Sequence, residues 1–196
     1  HHDHNFSEWN YLIIHLGDYI DRGPKSFEVI EFLMQKQTKS EDKFICLKGN
    51  HEYMMIKAFK SNDQNAYDFW CKYGGKETLK NYKNHGFDAP PSSHLEWRET
   101  LPTFYWDKFA KMIFVHAGID PLFFPNDGED THLWTRSKLF FNSESWNNEI
   151  LDDVRVVHGH TPTKTGLPEF GNDKRRINID TGACYGGQLT AAVLAP

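Results

Sequence analysis

Four short apolar runs punctuate the chain, and each stops at small residues interleaved with histidine, aspartate or asparagine: "YLIIHLGD", "KFICLKGNHE", "KMIFVHAGI" and "VRVVHGHTP". Their apolar cores, residues 11–16, 44–47, 112–115 and 154–157, are short, β-branched or aromatic and bounded by glycine, the pattern of buried strands. Between the first two, Phe27, Ile30, Leu33 and Met34 recur on one face and predict a helix over residues 26–37, giving a β-α-β order. From about residue 53 to 105 the chain turns helical and aromatic, through "DFWCKYGGKETLKNYKNHGF" and "HLEWRETLPTFYW". That stretch reads as an insert, a packed cap in preference to a platform for stacking. The terminal "RRINIDTGACYGGQLTAAVLAP" predicts two strands around the "YGG" turn. The expected class is α/β with layered sheets.

Composition narrows the function classes. The 196 residues, 39% hydrophobic and 25% charged, suffice for one domain with a substantial core, and a single domain is expected. No apolar run approaches the roughly 20 residues of a membrane span. The polar, histidine-rich opening "HHDHNFSEWN" has none of the order of a signal peptide. Cys46, Cys71 and Cys184 are widely spaced and form no CxxC pair, as expected of reduced thiols in the cytoplasm. A net charge of −5 disfavours sequence-independent binding of a nucleic acid polymer.

In open α/β sheets, functional groups gather beyond the carboxyl ends of the strands. The four motifs would bring Asp18, Asp21, Arg22, Asn50, His51, His116, His158 and His160 to that edge. An aspartate oxygen, an asparagine carbonyl and imidazoles, without thiolate, suit Mn²⁺, Fe or Zn²⁺ better than a soft metal. Such a set fits metal-assisted hydrolysis.

In this order, "GDYIDRGP", "GNHE", "HAGI" and "HGHTP" resemble the calcineurin-like metallophosphoesterase superfamily, in its serine/threonine protein phosphatase-like branch. The resemblance runs over about residues 11–195, and "WCKYGGKETL", "LPTFYW", "LWTR" and "INIDTGACYGGQLTA" extend it to bacterial members, including symmetrical diadenosine tetraphosphatases. It implies a layered β-sandwich flanked by helices, with a helical insert. It implies Asp18 as the carboxylate bridging two divalent metals, manganese first and iron or zinc next, with Asn50, His116 and His160 completing one metal's ligands. Arg22 and Arg136 match phosphate-binding arginines, His51 the proton donor to the leaving oxygen, and Asp21 the carboxylate that orients it. The implied substrate is a phosphoserine or phosphothreonine protein, with a dinucleoside polyphosphate as the alternative and no membrane partner. A non-catalytic phosphate-binding scaffold is a further alternative, against which the leaving-group acid His51 speaks. His158 is read as structural, His15 as core packing, Asp180 as a turn residue or outer hydrogen bonder, and Cys184 as structural.

The family pattern opens with a D-x-H-G motif on a strand and helix ahead of "GDYIDRG". Before Tyr11 no D-x-H occurs, since Asp3 is followed by His4 and Asn5. The expectation is therefore a chain lacking that first strand and helix, with residues 1–10 a disordered tail or linker. Such a chain would bind one metal where the full-length protein binds two.

Overall fold

Residues 11–40 and 43–194 are described by a computed structural model. Strand β1 (Ile13–His15) pairs in parallel with β2 (Phe44–Cys46), and helix α1 (Ser26–Ser40) makes the crossover between them. The predicted apolar stripe of α1 does the packing: Ile30 and Leu33 are buried, and Phe27 and Met34 flank them. Next come α2 (Asn50–Lys60), α3 (Gln64–Trp70), a π-helical turn at Cys71–Gly75, α4 (Lys76–Asn84) and α5 (Ser92–Thr100). A second sheet follows, built from β3 (Phe104–Asp107), β4 (Met112–Val115), β5 (Arg155–His158), β6 (Glu169–Phe170) and β7 (Arg176–Asn178). Helices α6 (Glu129–Trp134) and α7 (Lys138–Phe141) lie between β4 and β5. The strand order is β3-β4-β5-β7-β6, with β4, β5 and β7 parallel and the two outer strands antiparallel to their neighbours.

Register decides where the polar motifs emerge. Phe114 lies opposite Val157 and Val157 opposite Ile177, so His116 and His160 leave the ends of β4 and β5 on one edge. The ladder continues past β5, with Gly159 N–H donating to His116 C=O at 2.8 Å. In the smaller sheet, Leu47 N–H donates to His15 C=O at 2.9 Å, which brings the loops after β1 and β2 side by side. The two sheets meet through Leu16, which packs on Met112, Val157 and Ile177. The opposite face of the larger sheet buries Ile113, Val115, Phe124, Phe140 and Val156. Each such side chain contributes roughly 1.5–3 kcal/mol when fully removed from water.

The α/β class with a helical insert is observed, and several local expectations are corrected. The insert ends earlier than predicted, because "TFYW" carries no helical stripe and instead pairs along β4 as β3. Of the two C-terminal strands the first forms, as β7, and the second does not among the described residues. After β7, Gly182 and Gly186 take left-handed φ values of 77° and 87°, and Ala183–Tyr185 makes a 3₁₀ turn. One isolated bridge, Gly182 to Gln188, and the bonds from the Thr181 hydroxyl replace a ladder. Strand β6, which its partner β7 completes, was not foreseen in "PEF". Strand β1 is more open than a buried strand, with Ile13 exposed, because β2 is its one partner among the described residues. No helix among the described residues is long and apolar enough to cross a membrane.

The insert is held to α1 by a buried polar relay. Arg98 Nη2 donates to the Tyr82 hydroxyl, which lies 2.7 Å from His94 Nδ1, and His94 Nε2 lies 2.6 Å from Glu31. This network is satisfied by the neutral imidazole, accepting at Nδ1 and donating at Nε2. Burial lowers the His94 pKa below its ordinary 6.5, although Glu31 opposes the shift. A folded-state value below the unfolded one means that its contribution is complete above pH 6.5 and is lost as pH falls below it. Urea unfolding at pH 7.5 and at pH 5 should therefore show a smaller acid-induced loss of stability in His94→Gln than in the wild type. Equal losses would remove His94 from that account.

Candidate active site

Two loops and two strand ends converge at the joint between the sheets. Helix α2 begins with Gly49 as its N-cap and Glu52 at the third helical position, where the carboxylate accepts the Gly49 N–H at 2.9 Å. This is one half of a capping box. The same carboxylate also accepts from Asp18 N–H and Tyr19 N–H, both at 2.8 Å, although those residues belong to the loop after β1. Glu52 is fully buried. Burial, then the nearby Asp18 charge, push its pKa up, while the N–H donors of Asp18 and Tyr19 favour the carboxylate. The Tyr19 hydroxyl adds a second tie by donating to Leu47 C=O at 2.7 Å. The loops cross so closely that a Cβ on Gly49 would lie 2.5 Å from both Asp18 N and Asp18 Oδ1, so glycine is required there.

The crossing sets four donor atoms together. His116 Nε2 lies 2.9 Å from Asn50 Oδ1, 3.2 Å from His160 Nδ1 and 3.4 Å from Asp18 Oδ1. His160 Nδ1 lies 3.1 Å from Asn50 Oδ1. His116 Nδ1 donates to Leu16 C=O at 2.7 Å, which fixes the tautomer and turns the lone pair of Nε2 into the cluster. Burial, then the neighbouring His116, push His160 down to about 3, so it stands neutral. Aspartate, asparagine and two imidazoles form an oxygen and nitrogen set without thiolate, which fits a divalent cation.

Beside this cluster lies a buried acid pair. His51 Nδ1 is 2.6 Å from Asp21 Oδ2, and the His51 backbone N–H donates to Asp18 Oδ1 at 3.3 Å. Asp21 is held from three further directions. Trp70 Nε1 donates to both of its oxygens at 3.1 and 3.0 Å, the Thr78 hydroxyl donates to Oδ1 at 2.7 Å, and Asp21 N–H donates to Ser26 Oγ and Thr78 Oγ1. Burial alone would lower the His51 pKa, but the Asp21 hydrogen bond and the Asp18 charge outweigh it and raise it. Arg22 and Arg136 border the cluster from opposite loops. Arg22 N–H donates to Gly74 C=O at 3.3 Å, and Arg136 Nε sits 3.4 Å from His160 Nε2.

Backbone conformation marks the same residues. Asp18, Asp21, Arg22 and His160 have φ of 60°, 72°, 60° and 66°. Outside glycine such values cost on the order of 1–3 kcal/mol each and persist where surrounding contacts impose them. For Asp18, Asp21 and Arg22 the imposing contacts are Glu52, Trp70 with Thr78, and the Gly74 carbonyl.

All eight residues singled out for the site in the sequence thus lie around one joint. His158 does not join the donor cluster: it is buried against Arg176 Nη1 at 3.1 Å, and burial lowers it to about 3. Asp180 accepts the Gly182 N–H at 3.0 Å, a turn role. His15 is half-buried on Phe44. Cys184 is exposed and accepts from Arg22 Nη1 at 3.4 Å, so it is no core residue. The D-x-H question falls on residues 1–10, outside the described residues. Sequence reasoning missed Glu52, Trp70 and Thr78. The signal for Glu52 was its place three residues after the Gly49 cap, whereas nothing in "WCKYGGKET" marks Trp70 as a carboxylate's donor.

A sequence model of the calcineurin-like phosphoesterases matches residues 2–186. The chain belongs to that family, and it is accordingly a hydrolase of the metallophosphoesterase class. It is 28% identical over 198 residues to the asymmetrical bis(5'-nucleosyl)-tetraphosphatase PrpE of Bacillus subtilis (strain 168), covering 91% of this chain and 74% of that one. It is likewise 28% identical over 190 residues to serine/threonine-protein phosphatase 2 of Escherichia coli (strain K12), covering 91% and 78%. Among solved structures, a candidate diadenosine tetraphosphatase superposes with a TM-score of 0.60 at 18% identity, covering 90% of this chain and 72% of that one. A serine/threonine phosphatase from Saccharomyces cerevisiae superposes at 0.52 and 17%, covering 85% and 56%. The layered metallophosphoesterase fold expected from the motifs is therefore shown. The tetraphosphatase relative named here is of the asymmetrical kind, not the symmetrical kind that the motifs suggested.

Glu52→Gln should destabilise the protein by about 2–4 kcal/mol, because a single amide oxygen cannot serve three N–H groups and each buried donor left unpaired costs about 1–3 kcal/mol. Urea unfolding measures this. A variant within about 0.5 kcal/mol of wild type would show that the clasp is dispensable.

Proposed function

We propose that this chain hydrolyses phosphate esters or anhydrides at the joint between its sheets, with a divalent metal held by Asp18, Asn50, His116 and His160. The observation that carries the reading is the buried His51–Asp21 pair at 2.6 Å, with the His51 backbone bonded to the Asp18 carboxylate of the donor cluster. A scaffold needs no such acid. A cation bound there supplies Lewis-acid charge to the phosphoryl oxygens and to the attacking water. Manganese is the leading candidate, and iron or zinc would suit the same oxygen and nitrogen donors. The two-ion arrangement read from the sequence calls on ligands outside the described residues.

The protein's own groups divide the remaining work. Arg22 and Arg136 grip the nonbridging phosphate oxygens, where a guanidinium makes paired charge-assisted hydrogen bonds. Asp21 accepts a hydrogen bond from His51 Nδ1–H and leaves Nε2 to carry the proton given to the leaving oxygen. Its own orientation is fixed by Trp70 and Thr78, so the imidazole keeps one aim. The raised His51 pKa keeps that proton in place at higher pH than a free imidazole would. The same chemistry serves a phosphoprotein, which the sequence reading placed first, or a dinucleoside polyphosphate, and relatives of both kinds support it equally.

Hydrolysis of p-nitrophenyl phosphate should require added Mn²⁺ and be abolished by a chelator. In His51→Asn, kcat on an alkyl phosphate should fall by about 10²–10⁴-fold, and by much less on p-nitrophenyl phosphate, whose leaving group needs little protonation. Bound metal should be unchanged. Equal losses on both substrates would refute the acid role, and loss of metal would make His51 a ligand instead.

A further inference from the structure

Arg22, at the border of the donor cluster, also lines an open groove of about 850 Å³. The turn at Cys71–Gly75 also lines it and contributes Lys72, and α4 contributes its first residue, Lys76. These cations outnumber the carboxylates of Asp68 and Glu77 that share the groove. Tyr73 lies between the two lysines in the chain and is 41% exposed. Its ring rests on Phe69 at 4.7 Å between centroids, with Lys72 Nζ 5.9 Å from its centre. Arg22 itself sits over the Tyr185 ring at 5.4 Å.

This wall is fixed to the catalytic loop. Gly74, at φ 122°, accepts the Arg22 N–H, and a Cβ there would lie 2.8 Å from Arg22 Cγ and 2.9 Å from Arg22 N. Trp70, at the start of the same turn, donates to Asp21. One side of the turn therefore holds the acid's carboxylate, while the other presents lysines and an aromatic face in a set position relative to Arg22. The helical path breaks at Gly74, between α3 and α4, and the segment at this break serves both sides.

We propose that the groove is a nucleoside polyphosphate subsite, in which phosphates beyond the one on Arg22 meet Lys72 and Lys76 and a base stacks on Tyr73. The inference rests on the reading of Arg22 as a phosphate-binding residue. A singly phosphorylated peptide brings one phosphate, which leaves both lysines without an anion and Tyr73 without a flat partner. A chain of phosphates ending in a base uses all three. Stacking on an aromatic side chain is tolerant of base identity, so adenine and guanine should serve alike. The aromatic insert thus buries Trp70 and Tyr82 for packing and turns Tyr73 outward for ligand.

Calorimetric binding of ADP, inorganic phosphate and a phosphothreonine peptide to the Mn²⁺-supplemented protein tests this, with p-nitrophenyl phosphate turnover measured in parallel. ADP should bind about tenfold or more tightly than phosphate. Tyr73→Ala should remove most of that ratio and Tyr73→Phe should keep it, while Lys72→Ala with Lys76→Ala should weaken ADP more than phosphate. Equal affinities of wild type for ADP and phosphate would overturn the proposal, as would parallel losses of both ligands in the lysine double variant. A phosphopeptide affinity that falls more than that of ADP in either variant would reassign the groove to protein substrates and overturn it too. An intact ADP preference without metal-dependent turnover would refute the catalytic reading and leave the subsite standing. Turnover with equal affinities would refute the subsite alone.

Discussion

A single buried carboxylate holds the candidate site together. Glu52 takes N–H groups from Gly49 on its own helix and from Asp18 and Tyr19 on the loop after β1. Without that clasp the smaller sheet and helix α2 would still pack through Leu33, Phe44 and Met55, but the Asp18 backbone would lose its tie to α2, leaving the carboxylate held by the His51 N–H. Burying a charge is costly unless hydrogen bonds replace its water shell. Three backbone donors do so here, and because they come from two loops, satisfying the charge and joining the loops are one event.

A second clasp, centred on Asp21, works on the same logic. Four side chains, Trp70, Thr78, Ser26 and His51, bond to it or to its backbone, and they come from four separate segments. The strain at Asp18, Asp21 and Arg22 is then intelligible. The loops do not relax to ordinary φ values because doing so would unmake these bonds. The helical insert does more than cover the site: it supplies Trp70 and Thr78 and so forms part of its frame. That coupling also explains why a groove in the insert can bear on the Arg22 loop through Gly74.

Much of this was legible in the residues. Strand ends announced themselves through the change from apolar runs to glycine and ligand-type residues, and Asp18, Asp21, Arg22, Asn50, His51, His116 and His160 stood in four such places. The helical stripe of α1 was readable because it packs one face on a sheet and leaves the other wet. What could not be read were interactions between distant segments with no local signature. Glu52 looks like any acidic residue in a first helical turn, and Trp70 looks like core, since its indole N–H finds Asp21 49 positions away. Strand β3 was hidden because "TFYW" is as aromatic as the helices before it, and its partner β4 decides its state. The "YGG" segment misled in the opposite direction. Its glycines suggested a hairpin turn, whereas the following Leu189 and Val193 remain exposed and no ladder forms.

The central claim is that Asp18, Asn50, His116 and His160 form one metal site whose geometry the Glu52 clasp sets. Thermal unfolding of wild type and His116→Ala, with and without Mn²⁺ at about one hundred times its Kd for wild type, addresses it most directly. Ligand binding at that excess stabilises by about 2.7 kcal/mol, which for a domain of this size raises Tm by roughly 5–10 °C. The account predicts that rise in wild type and its near disappearance in the variant. Failure of Mn²⁺ to bind wild type, or an equal rise in His116→Ala, would contradict it.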